Sequence, residues 1–271
     1  MEELKKKIEN IEADSTKSVN QKIEEIQGIV LSFDEYSSDA FEISLPAYEA
    51  IRRILLKENY EDCYVLDLLM CNVLLAEAYN RNQRHWLIAP LAEQCHEMML
   101  GITTDDEEAL KTMISVIDRM CSELKGTGHS RLMMRLYALQ FDFEKQRPEP
   151  DKEALIDTAT QMITLATLTG CDTWYAPIQE EVVALMGEAA IKEIVDNPYT
   201  GHLKVDEVVY TEEYEKVVDE VDAEVNKLMG DKPYGMGMCF EIWSLKKKIL
   251  KANYGIEWRS PREMNPRVMF D

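Results

Sequence analysis

The chain has little histidine, four residues in 271, and that scarcity removes most metal and general-base schemes at the outset. His85, His96, His129 and His202 are dispersed, and no H-E-x-x-H occurs. Glu93-x-x-His96 places a carboxylate and an imidazole on one helical face, but a di-iron carboxylate site needs a second such pair and none exists. The two are read as a surface ion pair. Phosphate cradles are missing as well. There is no G-x-x-x-x-G-K, and Gly235-x-Gly237 runs into Phe240 where a dinucleotide fingerprint requires glycine. G-x-S-x-G is absent, and adjacent Cys95 and His96 stand about 100° apart on a helix, so they do not face each other. The acidic run Asp105-Asp106-Glu107-Glu108 lacks calcium-loop spacing and is read as first-turn acids of a helix. No catalytic residue, metal or cofactor is expected.

Cysteine is sparse too. The six, at 63, 71, 95, 121, 171 and 239, form no C-x-x-C, and most lie in apolar helical stretches, the pattern of reduced thiols in a cytoplasmic chain. Long apolar runs are lacking: the longest, Cys63 to Tyr79, is broken by Asp67, Asn72 and Glu77, so no membrane span is expected. Met1 to Asn10 alternates Glu and Lys around Leu4 and Ile8, without the apolar region of a secretory signal. Positive charge is in deficit, 30 basic against 51 acidic residues and a net charge of −21. A field of that sign repels phosphate backbones, so no nucleic-acid partner is expected, and Lys246 to Lys248 is too short a run to reverse this.

What the chain does have is helical period. With only 11 Gly and 9 Pro, apolar residues recur at three and four over most of its length. Segment 2–32 reads as amphipathic helix broken near Asp14-Ser15, 34–43 as a loop, and 45–58 as a helix capped by Ser44 with Pro46 in its first turn. Segment 61–81 is apolar nearly all round and should be the centre of its domain. Its polar interruptions, spaced by five, point about 140° apart, and a buried Asp67 or Asn72 would need a partner such as Arg52 or Arg53. Further helices are expected at 86–100, 105–125, 129–146, 152–169 and 175–196, with Met99, Met113, Met133, Met162 and Met186 on core stripes. Residues 197–210 read as a linker.

Beyond it, residues 205–230 carry nine acids against two lysines and 240–271 seven basic against four acidic side chains, which suggests that an acidic and a basic helix pair with each other. The tail, with Trp258, Met264, Val268, Met269 and Phe270, is too apolar to be a solvated end. The expected organisation is a helical-hairpin domain over 1–196, the linker 197–210, and a C-terminal helix pair with packed tail over 211–271.

Hairpins starting near 44, 84 and 127 repeat at about 40 residues. One unit, 68–100, resembles a tetratricopeptide helix pair: Leu75-Ala76-x-x-Tyr79 stands where that family has L-G-x-x-Y, and Ala89 and Ala92 follow near its small residues. Gln83 replaces the family's glycine and Pro90 falls within the second helix. The resemblance implies a scaffold that holds a partner's segment between helices. The fold class expected is all-α, antiparallel helical hairpins stacked as an irregular α-solenoid or bundle.

Three functional readings follow. The first is an intracellular protein-interaction scaffold or chaperone-like adaptor, its acidic exterior suited to a basic partner, with Tyr79, His85, Trp86, Trp174 and Tyr175 as candidate partner-binding residues. The second is a helical small-ligand-binding protein or enzyme with a cavity around Asp67 and Asn72. The third is an acidic neutralising partner of a basic toxin. Composition and spacing do not specify the oligomeric state.

Overall fold

The computed structural model describes residues 1–34, 37–57, 64–170, 178–198, 203–230, 235, 237–266 and 268–270, without the side chains of Ser38 and Phe41. It is all-α, with no strand among the described residues. The chain divides into two compact units. Unit 1 comprises 1–82, 87–125 and 129–198, and unit 2 comprises 83–86, 126–128 and 199–271.

The described residues of unit 1 form ten helices: α1 (Glu2–Ala13), α2 (Val19–Leu31), α3 (Ser38–Lys57), α4 (Val65–Arg81), α5 (Ile88–Met99), α6 (Glu107–Leu124), α7 (Ser130–Gln146), α8 (Lys152–Thr169), α9 (Gln179–Met186) and α10 (Glu188–Asp196). The break between α1 and α2 falls where the sequence places it. Ser18 and Gln21 close it with a reciprocal capping box. Helix α3 departs from expectation. It begins at Ser38, with the Ala40 N–H donating to the Ser37 hydroxyl, so Pro46 lies in its interior and Ser44 is buried mid-helix. Proline there removes one intrahelical hydrogen bond, and α3 persists because Ile43, Ala47, Ala50, Ile51, Ile54 and Leu55 bury one continuous face. The single helix expected over 175–196 is two: Gly187, at φ +83°, breaks it, a backbone state that costs a β-carbon residue dearly.

Helix α4 is central, as its composition demands. Leu68, Leu69, Cys71, Asn72, Val73, Leu75, Ala76, Ala78 and Tyr79 are all buried, against α3, α5 and α6. Each such leucine removed from water contributes about 1.5–3 kcal/mol, while its neighbours on every side leave little room for a change of volume. Packing proceeds along the chain, α3 on α4, α5 on α6 and α7 on α8, with α4 also against α6 and α5 against α7.

Polar side chains tie these helices at a nearly constant offset. Arg52 bonds Gln94 (2.6 Å), Arg119 bonds Glu77 (2.8 Å) and Arg135 bonds Glu93, each pair 42 residues apart, and Asn80 bonds Glu123 at 43. These contacts join α3 to α5, α4 to α6 and α5 to α7. Met99, Met113, Met133 and Met162 are core residues, and Met186 is half-buried.

Unit 2 holds α11 (Glu212–Glu215), α12 (Val218–Met229), α13 (Met238–Tyr254) and α14 (Pro261–Met264), with a 3-10 turn at Glu207–Tyr210. The acidic α12 and the basic α13 do pack together over Val221, Val225, Ile249 and Leu250. Lys246 reaches Asp222 (2.7 Å) and lies over the rings of Tyr214 and Trp258. The tail is partly held: Trp258 is buried and Phe270 sits edge-on to Trp243 with centroids 5.2 Å apart, whereas Met269 is exposed.

Gly128, at φ +83°, belongs to this unit, and a β-carbon built on it would stand 2.6 Å from the Glu207 side chain. Gly128→Ala is expected to destabilise unit 2 by about 1–2 kcal/mol, from left-handed strain together with displacement of Glu207. Tryptophan-fluorescence melts check it, since Trp86, Trp243 and Trp258 all lie in unit 2. An unchanged midpoint would contradict it.

Candidate functional site

The five sequence-derived partner-binding residues do not form one constellation. Tyr79 is buried in the unit 1 core, its hydroxyl donating to Glu49 (3.3 Å). His85 and Trp86 are half-buried and belong to unit 2. Trp174 and Tyr175 lie outside the described residues, as does His202. His85 is tied to α11: its backbone N–H donates to Glu215 (3.0 Å), its ring Nδ1 pairs with the same carboxylate, and the ring sits edge-on to Tyr210 at 5.1 Å. Burial pushes the Glu215 carboxyl up, against the pull of His85. His96 is not the surface partner of Glu93. It is buried, with Nδ1 lacking a hydrogen-bond partner among the described residues, and burial together with the Arg135 charge holds its pKa down.

Asp67 and Asn72 point away from each other on α4, as their spacing requires. Asn72 is fully buried toward α3 and α5: Arg52 Nε donates to its Oδ1 (3.0 Å), and its Nδ2 donates to Gln94 Oε1 (3.2 Å) and approaches Cys95 Sγ (3.6 Å). Arg52 Nη2 closes the network on Gln94. This is the partner the sequence demands for a polar residue at the centre of a bundle, and its role is to fix how three helices register.

Asp67 lies on the other side, in a slot formed by α2, α3 and α4. The cavity is about 60 Å³ and is lined by Ile23, Gln27, Tyr48, Ile51, Leu55, Met70, Cys71 and Leu74 besides Asp67. Asp67 is both solvent-exposed and a lining residue, so it stands where the slot meets water. Desolvation raises its pKa, and no cation among the described residues opposes this. Among the described residues it has no ion pair and no hydrogen-bond donor, and neither the Tyr48 hydroxyl nor the Gln27 amide has a partner. Cys71 is no nucleophile here. Its thiol donates to the Tyr48 carbonyl (3.5 Å), and burial pushes its pKa up to about 12.

The slot was half legible in the sequence. Asp67 was identifiable as a polar break in an apolar helix, whereas Tyr48 and Gln27 carry no signal until α2 and α3 are brought to α4. Among the described residues no three His, Cys, Asp or Glu side chains gather so as to hold a metal ion, and no helix is long and apolar enough to cross a membrane. Comparison of the chain with known protein families, with curated proteins and with solved structures finds no match.

Proposed function

We propose that this protein is an intracellular interaction scaffold, or chaperone-like adaptor, whose helical hairpins bind a basic partner polypeptide. The observation that carries the reading is the α2/α3/α4 slot, where a carboxylate with no cation beside it among the described residues meets apolar walls on a chain of net charge −21. Carboxylates that lack internal cations favour a cationic partner through encounter rate and specificity. Hairpins tied at a 42-residue offset support the helical-repeat reading of the sequence, in which recognition surfaces are built from successive units. The small-ligand reading fares less well, because a cavity of about 60 Å³ is several-fold below the ~300–1,000 Å³ of metabolite pockets.

The test is co-purification of the full chain from its native cell extract, followed by sedimentation of the recovered complex. A stoichiometric basic partner whose affinity drops at least tenfold between 50 and 300 mM salt is expected, a span over which the screening length falls from about 14 to about 6 Å. Persistence of a lone monomer at every concentration would overturn the proposal.

A further inference from the structure

We propose that His96 is an acid-sensitive latch between α5 and α7, neutral and shut in the interior of unit 1 at neutral pH and parting the two helices when its ring takes up a proton. The latch acts whatever partner the scaffold holds.

The His96 side chain is 7% exposed, and its Nδ1 is shut away from water with no hydrogen-bond partner among the described residues. A neutral imidazole can leave that nitrogen as a lone pair, whereas an imidazolium carries an N–H on both nitrogens. Nδ1 then becomes a buried donor with nothing to accept from it, a kind of orphan that folded interiors almost never hold. The neighbouring charges add to the cost. Helix α7 packs on α5 and brings the Arg135 guanidinium, which opposes a second positive charge on the ring. Glu93, three residues before His96 on the same face of α5, is bonded to Arg135, so that face is the one turned to α7. Glu93 and Glu97 favour the proton, but the first is already claimed by Arg135 and the second is exposed. Helices α4 and α6 also pack on α5, and among their described residues no charged group acts on the ring, while Arg52 of α3 is engaged by Asn72 and Gln94. Burial first and Arg135 second hold the ring's pKa below its ordinary value. The opened state, with an unfolded-like pKa of about 6.5, therefore binds more protons than the closed one. Stability from the closed seam is whole above that pH and is lost as pH falls from there toward the folded value.

Amide hydrogen exchange of the full chain is measured by mass spectrometry at about pH 7 and about pH 5.5, with His96→Gln and His96→Met alongside. Each variant is compared with the parent at the same pH, so intrinsic exchange rates and the titration of other groups cancel. Between the two pH values, protection of α5 and α7 in the parent should fall about threefold or more relative to both variants, with the ratio in α1 unchanged. Independently of any variant, the ring Cε1–H resonance of His96, assigned by triple-resonance methods, should titrate in the folded protein with a midpoint below about 6.5. A parent-to-variant ratio in α5 and α7 that does not change with pH, or a His96 midpoint at or above that value, would overturn the latch. An equal loss of protection in α1 would overturn it too, because unit 1 would then open as a whole and not at the seam.

Discussion

Asn72→Leu is expected to lower the unfolding free energy of unit 1 by about 2–3 kcal/mol. Leucine keeps asparagine's branched skeleton but is bulkier, so the loss combines broken hydrogen bonds with some overpacking: Arg52 Nε loses its acceptor and Gln94 one of its donors, in a place where water does not reach Asn72. Urea unfolding followed by far-ultraviolet circular dichroism checks this, since most of the helix belongs to unit 1. The double variant Arg52→Met with Asn72→Leu should lose less than the sum of the single losses, because the buried guanidinium is then no longer stranded and only Gln94 is left to find new donors. A change below 0.5 kcal/mol for Asn72→Leu, about the scatter of ordinary surface substitutions, would show that Arg52 finds another acceptor. Asp67→Asn, five residues away on the exposed side of the same helix, should fall within that scatter.

Asp206→Ala is expected to destabilise unit 2 by about 2 kcal/mol at neutral pH. The Asp206 carboxylate is buried and accepts from the Arg259 backbone N–H (2.7 Å), from the Arg259 guanidinium (3.2 Å) and from the Val208 N–H, where it caps the 3-10 turn. Nearby, Asn265 exchanges two 2.8 Å bonds with the backbone of Lys204, so residues 204–208 are clasped to 259–265. The backbone donors dominate the stabilisation, because the Arg259 side chain is largely exposed and its charge is screened. Burial pushes the Asp206 pKa up, but the hydrogen bonds and charge of Arg259 and the Val208 N–H outweigh it, and the carboxyl sits below its ordinary value. A carboxyl depressed in the folded state contributes its stability in full above the unfolded pKa, about 3.9, and loses it as pH falls through the folded value. The gap between parent and Asp206→Ala should therefore be constant from pH 5 to 7 and close below about pH 4. Tryptophan fluorescence reports it, Trp258 being one residue from Arg259. A gap that widened in acid would contradict the assignment.

The helices were legible where amphipathic period and chain punctuation agree. The break at Asp14-Ser15, the central α4, the need of Asn72 for an arginine and the pairing of α12 with α13 all follow from residue spacing and charge. They were illegible where tertiary burial overrides a local signal. Pro46 looks like a first-turn residue until the face through Ile43 and Ala47 is seen to carry α3 past it. Gly187 reads as one tolerated glycine until its positive φ divides the helix. Glu93 and His96 share a face, yet Arg135 comes from α7, 42 residues on, to claim the carboxylate, which no local rule could indicate. The slot shows the same limit, since Asp67 is conspicuous on its own helix while Gln27 and Tyr48 acquire meaning only by convergence.

Cys71, Cys95 and Cys121 sit on three successive helices of unit 1, all buried, with burial pushing each thiol far above the pH of any cell. While the fold is intact these sulfurs are closed to alkylating agents and oxidants alike. Only when the bundle opens do they become nucleophiles, so the molecule carries an internal record of its own unfolding, written irreversibly in whichever electrophile happens to be present.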